Sequence, residues 1–317
     1  MRRGLLFVCL VFLSIGFSFA QDWPKQRSIH IVVGFAPGST TDLVARLVAP
    51  KLSEAIGQAV LVENKPGAGG NVAAQQVKRA APDGYTLLVT SVAYAVNPSL
   101  YENAGYDPFT DFIAVILGPS TPNIITVHPA VPAKNLQELL AAARKERFSY
   151  ASSGIGTTTH LSMERIKMAA KLDITHVPYQ PAQAVGAAVA GHTQISSTSM
   201  PPAVSHVKAG RVRAIAVTSA KRSPALPEVP TVNEQGFSGF DDLTWTAFFV
   251  PAGMPQELVN RINSDITRAL SMPDVRERLA QLGLEWRSNT SGEFAAFLRA
   301  EVQKWSRAVI DSGARAD

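Results

Sequence analysis

Gly34-Phe35-Ala36-Pro37-Gly38-Ser39-Thr40-Thr41-Asp42 is the stretch on which the fold reading turns. A β-branched run, Ile29-His30-Ile31-Val32-Val33, precedes it, and an amphipathic run, Leu43 to Val48, follows. Strand, tight turn and helix start is the order this implies, because Pro37 and Gly38 break both patterns. Ser39, Thr40, Thr41 and Asp42 are all good N-cap residues. Unpaired amides, small hydroxyls and the positive end of a helix dipole then face one spot, which suits an anion. Read alone, the same residues also fit an ordinary capped turn.

Outward from this turn, strand and helix alternate. A helix is expected to Ile56, stopped by Gly57, then a strand at 59–63, a helix at 72–80 and a strand at 85–90. Such alternation implies βαβ units and a mainly parallel sheet, with ligands at the carboxyl ends of the strands. The loops 34–42, 64–71 and 90–94 should therefore share one rim. Between Asp107 and Pro132 two apolar runs flank Gly118-Pro119, which reads as a crossing to a second unit. There the alternation resumes and contains a counterpart of the opening turn. A strand at 148–151 runs into Ser152-Ser153-Gly154-Ile155-Gly156-Thr157-Thr158-Thr159-His160, and a helix follows. The proline-rich stretch 224–230 cannot be helical and is taken as the return crossing. A strand at 243–250 and helices at 256–270, 273–282 and 291–312 complete the chain.

The expected division is residues 21–120 and 226–317 for a discontinuous first lobe, and 121–225 for the second. Residues 1–20 read as a secretory signal: Arg2 and Arg3, an apolar run from Leu5 to Phe17, and small residues Ser18 and Ala20 before the cleavage point. The single cysteine, Cys9, lies inside that run, so no disulfide or thiolate metal site is expected. The net charge of +5 comes from scattered basic residues rather than a stripe, which argues against nucleic acid. There is no phosphate-loop signature in 64–71 and no G-x-S-x-G nucleophile elbow, and the six histidines show no metal-ligand spacing.

Several stretches, in order over the whole length, resemble the Bug-type substrate-binding proteins of tripartite tricarboxylate transporters. They are Gly34–Asp42, Val62–Asn71, Ala81–Leu88, Asn97–Tyr101, Ser152–Leu161, Val177–Tyr179, Arg213–Thr218 and Pro227–Thr231. The resemblance implies an α/β periplasmic binding protein of the Venus-flytrap type, in which two lobes, each a sheet flanked by helices, are joined by two crossover segments. It implies no catalysis, no cofactor and no metal. The implied ligand is a small organic acid and the implied partner a membrane permease, met transiently by a monomer. A carboxylate-processing hydrolase on the same scaffold is the competing class.

The implied ligand contacts are Phe35, Ala36, Pro37, Gly38, Ser39, Thr40, Thr41 and Asp42 on the first turn, with Ser153, Gly154, Thr157, Thr158 and His160 on the second. Gly70, Asn71, Ser91 and Tyr94 are implied around the remainder of the ligand, and Tyr179 and Thr198 on the rim of the second lobe. Two departures matter. Ser39 stands where the family carries a second glycine, and Thr198 is neutral where many relatives carry aspartate. A neutral rim favours an acid without an amine, either a dicarboxylate or an aromatic carboxylate.

Overall fold

The computed structural model describes residues 23–180 and 183–316; the expected signal segment lies outside them. The first lobe begins with β1 (Ile29–Val33), α1 (Thr40–Ile56), β2 (Val60–Asn64), α2 (Asn71–Lys78), β3 (Thr86–Ser91) and α3 (Ala93–Leu100). Strand β1 pairs in parallel with both β2 and β3. Apolar residues on the two faces of this sheet feed separate clusters. Val33, Val44 and Val48 lie in one, and Val32, Ala73 and Tyr94 in the other.

Strand β4 (Phe112–Val127) then runs from one lobe into the other. The two apolar runs that flank Gly118-Pro119 belong to this one strand. Its pairing with the later strand Leu243–Pro251 shifts register between Ala114 and Ile116 and again across Gly118-Pro119, between Leu117 and Ser120. The second lobe adds α4 (Leu136–Ala143), β5 (Ser149–Ser152), α5 (Thr158–Ala170), β6 (Thr175–Pro178), α6 (Ala184–Val189), β7 (Ile195–Ser199), α7 (Met200–Lys208) and β8 (Arg213–Val217). Its sheet runs β8-β4-β7-β5-β6, again with apolar clusters on both faces.

The return crossing is not at 224–230. Leu226 and Val229 pack in one cluster of the second lobe, and Val232 and Phe240 in the other, so this stretch stays with that lobe. Proline excluded a helix there without saying which core its side chains join. The chain returns in β9 (Leu243–Pro251), which inserts between β3 and β4, antiparallel to both. Helices α8 (Gln256–Ser271), α9 (Pro273–Gln281) and α10 (Ser291–Ser312) finish the first lobe. Two antiparallel strands, β4 and β9, thus form the neck between the lobes.

Polar side chains fasten this neck. Asn123 Oδ1 accepts from Thr244 Oγ1 at 2.7 Å, and Asn123 Nδ2 donates to Ser162 Oγ at 3.2 Å. Ser162 in turn donates to Asp242, which is fully buried and receives Arg165 Nη1 at 2.6 Å. Lys304 of α10 stands 3.5 Å from the same carboxylate. Asp242 therefore touches basic groups from both lobes.

Candidate functional site

The two turns read from the sequence face each other across the cleft and share most of their internal hydrogen bonds. Ser39 caps α1 by accepting from the Asp42 amide, and Thr157 caps α5 by accepting from the His160 amide. Ser39 N donates to Ala36 O, as Thr157 N does to Gly154 O. Ser39 and Thr41 hydroxyls share a hydrogen bond of 3.0 Å; Thr157 and Thr159 share one of 2.8 Å. Gly38 and Gly156 both sit at positive φ, where a side chain is strained. Their amides donate four residues ahead, from Gly38 to Asp42 Oδ2 at 2.9 Å and from Gly156 to His160 Nδ1 at 3.2 Å.

This wiring decides what is left for a ligand. The amides of Thr40 and Thr41 at the start of α1, and of Thr158 and Thr159 at the start of α5, have no partner among the described residues. First-turn amides lack intrahelical acceptors and carry the positive end of the dipole. The four residues line one cavity, two from each lobe. The lobes also touch directly: Thr40 and Ser199 hydroxyls lie 2.9 Å apart, and the Thr158 hydroxyl bonds that of Thr244 on β9.

Between the turns lies a cavity of about 40 Å³. Apart from Phe35, every lining side chain carries a hydroxyl: Ser39–Thr41, Ser91, Ser153, Thr157–Thr159, Ser199 and Thr244. None is charged. The Ser153 hydroxyl is buried with no partner among the described residues. At roughly 10–15 Å³ per water, this space takes about three waters, or one carboxylate group. It opens beside a wider space of about 630 Å³, also bounded by Phe35, Ser153 and Thr157, with Gly70, Tyr101, Gly154 and Tyr179 in its wall.

Several expected contacts serve the framework instead. Asp42 accepts from Gly38 N, Arg46 Nε and Asn64 Nδ2, all at 2.9 Å. Burial pushes its carboxyl up, but Arg46, the Gly38 amide and Asn64 together hold it below the ordinary carboxylate value. Its charge is spent on the loop. Pro37 and Gly38 are exposed, and neither they nor Ala36 line either cavity. Asn71 is buried and accepts from Asn97 Nδ2 at 2.6 Å, which also fixes Gly69 O.

Tyr94 was expected near the ligand, yet it is buried against Tyr106, Phe112 and Phe249, with its hydroxyl given to Pro108 O. Residues 93–100 form a helix, and that turns its ring into the core. Thr198 is displaced by strand parity. In β7, Ser197 and Ser199 point toward α5 and α1, while Ser196 and Thr198 point to the opposite face. Ser199, not Thr198, reaches the cavity.

His160 is likewise a positioning group. Its ring stacks on His176 at 4.1 Å, and His176 stacks on Tyr150 at 4.8 Å. His176 Nε2 lies 2.7 Å from Ser152 Oγ. Among the described residues no carboxylate bonds the other nitrogen of His176, so the third member of a hydrolytic triad is not found there. Burial depresses His160 to about 4, and burial with the neighbouring His160 depresses His176 to about 3. Both rings are neutral at pH 7, and Nδ1 of His160 can accept from Gly156 only in that form. An unfolded chain takes up these protons near 6.5. Stability is therefore full above pH 6.5 and is lost as pH falls toward 4 and 3. Urea midpoints should hold steady from pH 8 to 7 and drop below 6.5. Replacing both histidines by glutamine should flatten that acid limb; an unaltered limb would place the sensitivity elsewhere.

Two lobes on a paired-strand neck, closing on an uncharged anion cradle, define a periplasmic binding protein fold. Residues 44–313 match the family described as tripartite tricarboxylate transporter family receptor, and the chain belongs to that family, a group of binding proteins rather than enzymes. Among curated relatives, it is 36% identical over 290 residues to a UPF0065 protein in the tcbD-tcbE intergenic region of Pseudomonas sp. strain P51, covering 90% of this chain and 86% of that one. Solved structures agree. The periplasmic binding protein BugD superposes with a TM-score of 0.87 at 33% identity, covering 92% of this chain and 99% of that one. R. palustris Rpa4515 with adipate gives 0.88 at 32%, covering 93% and 99%. MatC from Rhodopseudomonas palustris with bound malate gives 0.84 at 32%, covering 90% and 99%.

Proposed function

We propose that this protein captures a small organic carboxylate without an amine between its lobes and hands it to a tripartite tricarboxylate-type permease. The observation that carries this is the set of four unpartnered first-turn amides, two from each lobe, around a cavity lined by hydroxyls. One carboxylate engages Thr40, Thr41, Thr158 and Thr159 amides at once. The bound acid thereby bridges the lobes, so binding favours the closed arrangement by the difference in its affinity for the two arrangements. Charge-assisted bonds from amides and hydroxyls replace the lost water of the anion. Among the described residues no Asp or Glu lines either cavity, so a ligand ammonium would lose hydration without an acidic partner there. The relatives' adipate and malate are amine-free diacids, in keeping with this reading. The protein works as an exported, cleaved monomer in the periplasm and meets its permease transiently.

Calorimetric titration tests the ligand class. Adipate, malate, succinate and benzoate are set against aspartate and glutamate. At least one amine-free acid should bind more tightly than either amino acid by about tenfold or more. Preferential binding of aspartate or glutamate would overturn the amine-free reading.

A further inference from the structure

The inner cavity holds a carboxylate group and little else, so the rest of any ligand must extend into the wider mouth. Among the described residues that bound the mouth, Arg315 alone carries a charged side chain. Its position is built by the C-terminal tail. Helix α10 ends at Gly313 in the left-handed conformation, and the chain turns back onto α3, where Ala316 N donates to Leu100 O at 3.2 Å. Ala314 and Ala316 pack against the first-lobe core on that side. The residue between them is sent the other way, into the mouth. Arg315 is exposed and has no acidic partner among the described residues. Across the mouth stand Tyr179, Gln180 and Gln183 of the second lobe, which add neutral hydrogen-bonding groups and no negative charge.

We infer that Arg315 receives the second acidic group of a dianionic ligand whose first carboxylate lies between the helix ends, which makes the C-terminal tail a specificity element for diacids over monoacids. The guanidinium fork suits a planar carboxylate. The tail is anchored beside the cleft wall, since Leu100, which accepts from Ala316 N, packs on Gly156 of the second turn. An acid held by Arg315 therefore sits on the first lobe at its outer end and on both lobes at its inner end. This inference rests on the carboxylate reading above and narrows it to diacids.

The test compares Arg315→Gln with the unaltered protein by calorimetry, using adipate and suberate beside hexanoate and octanoate. Affinity for at least one diacid should fall about fivefold to tenfold, whereas the monoacid of equal length changes by less than about twofold. Arg315→Lys should recover part of the loss. Equal effects on diacid and monoacid, or none on either diacid, would overturn the role of Arg315 and leave the carboxylate reading standing. Failure of the unaltered protein to bind any acid of the series would refute both.

Discussion

Thr158→Pro is expected to weaken carboxylate binding by about 10- to 100-fold without unfolding the protein, from loss of a charge-assisted hydrogen bond. Thr158 is the first residue of α5, the helix position where proline is best tolerated because its amide has no intrahelical acceptor. Thr157 before it is extended, with ψ of 158°, as the residue preceding a proline prefers. The substitution therefore removes the donor aimed at the ligand and little else from the backbone. It also removes the hydroxyl bonded to Thr244, so Thr158→Val is the necessary comparison. Valine keeps the amide and loses the hydroxyl. Proline should cost at least about tenfold more affinity than valine. Equal losses would assign the effect to the hydroxyl and the neck, not to the helix end.

Asp242→Ala is expected to cost about 3 kcal/mol of folding stability, the loss associated with stripping one partner from a buried ion pair. Asp242 is fully buried, and its removal strands Arg165, the Ser162 hydroxyl and the neighbouring Lys304. Arg165 is partly exposed and recovers some hydration, which keeps the figure at the lower end of the range for such pairs. Urea unfolding measures it. A loss below about 1 kcal/mol would show that the neck does not depend on this carboxylate. Asp242→Asn should fall between, since an amide still accepts from Ser162 but leaves the guanidinium uncompensated.

The parts of this architecture that were legible in sequence are the local ones. A β-branched run, a glycine turn, a hydroxyl cap and an amphipathic run specify strand, turn and helix within about a dozen residues. That logic located both turns, Ser39–Thr41 and Thr157–Thr158 among them. It reached the helix stop at Gly57 and all of α10 as well. Two helices were not expected from the sequence: α3, which contains Pro98, and α7, which Pro201 and Pro202 open.

The site's finer composition depended on facts that local patterns do not carry. Whether Thr198 or Ser199 faces the cleft turns on strand parity across residues 195–199, and a one-residue shift exchanges the faces. Tyr94 required knowing that a helix begins at Ala93. Asp42 and His160 were recognised as opening residues of helices. Their use as acceptors for Gly38 and Gly156 emerged only from the three-dimensional wiring. Thr159 stood in plain view between two chosen residues, whereas Thr244 and Arg315 come from strands and a tail remote in sequence. No periodicity links them to either turn.

In the proposed complex, helix ends from both lobes hold one carboxylate together. Amide proton and nitrogen shifts of Thr40, Thr41, Thr158 and Thr159, followed through a titration with adipate, test it most directly. All four are expected to move downfield together with one saturation curve, since each amide gains a charged acceptor. Movement confined to one lobe, or a saturating titration in which none of the four shifts, would contradict it.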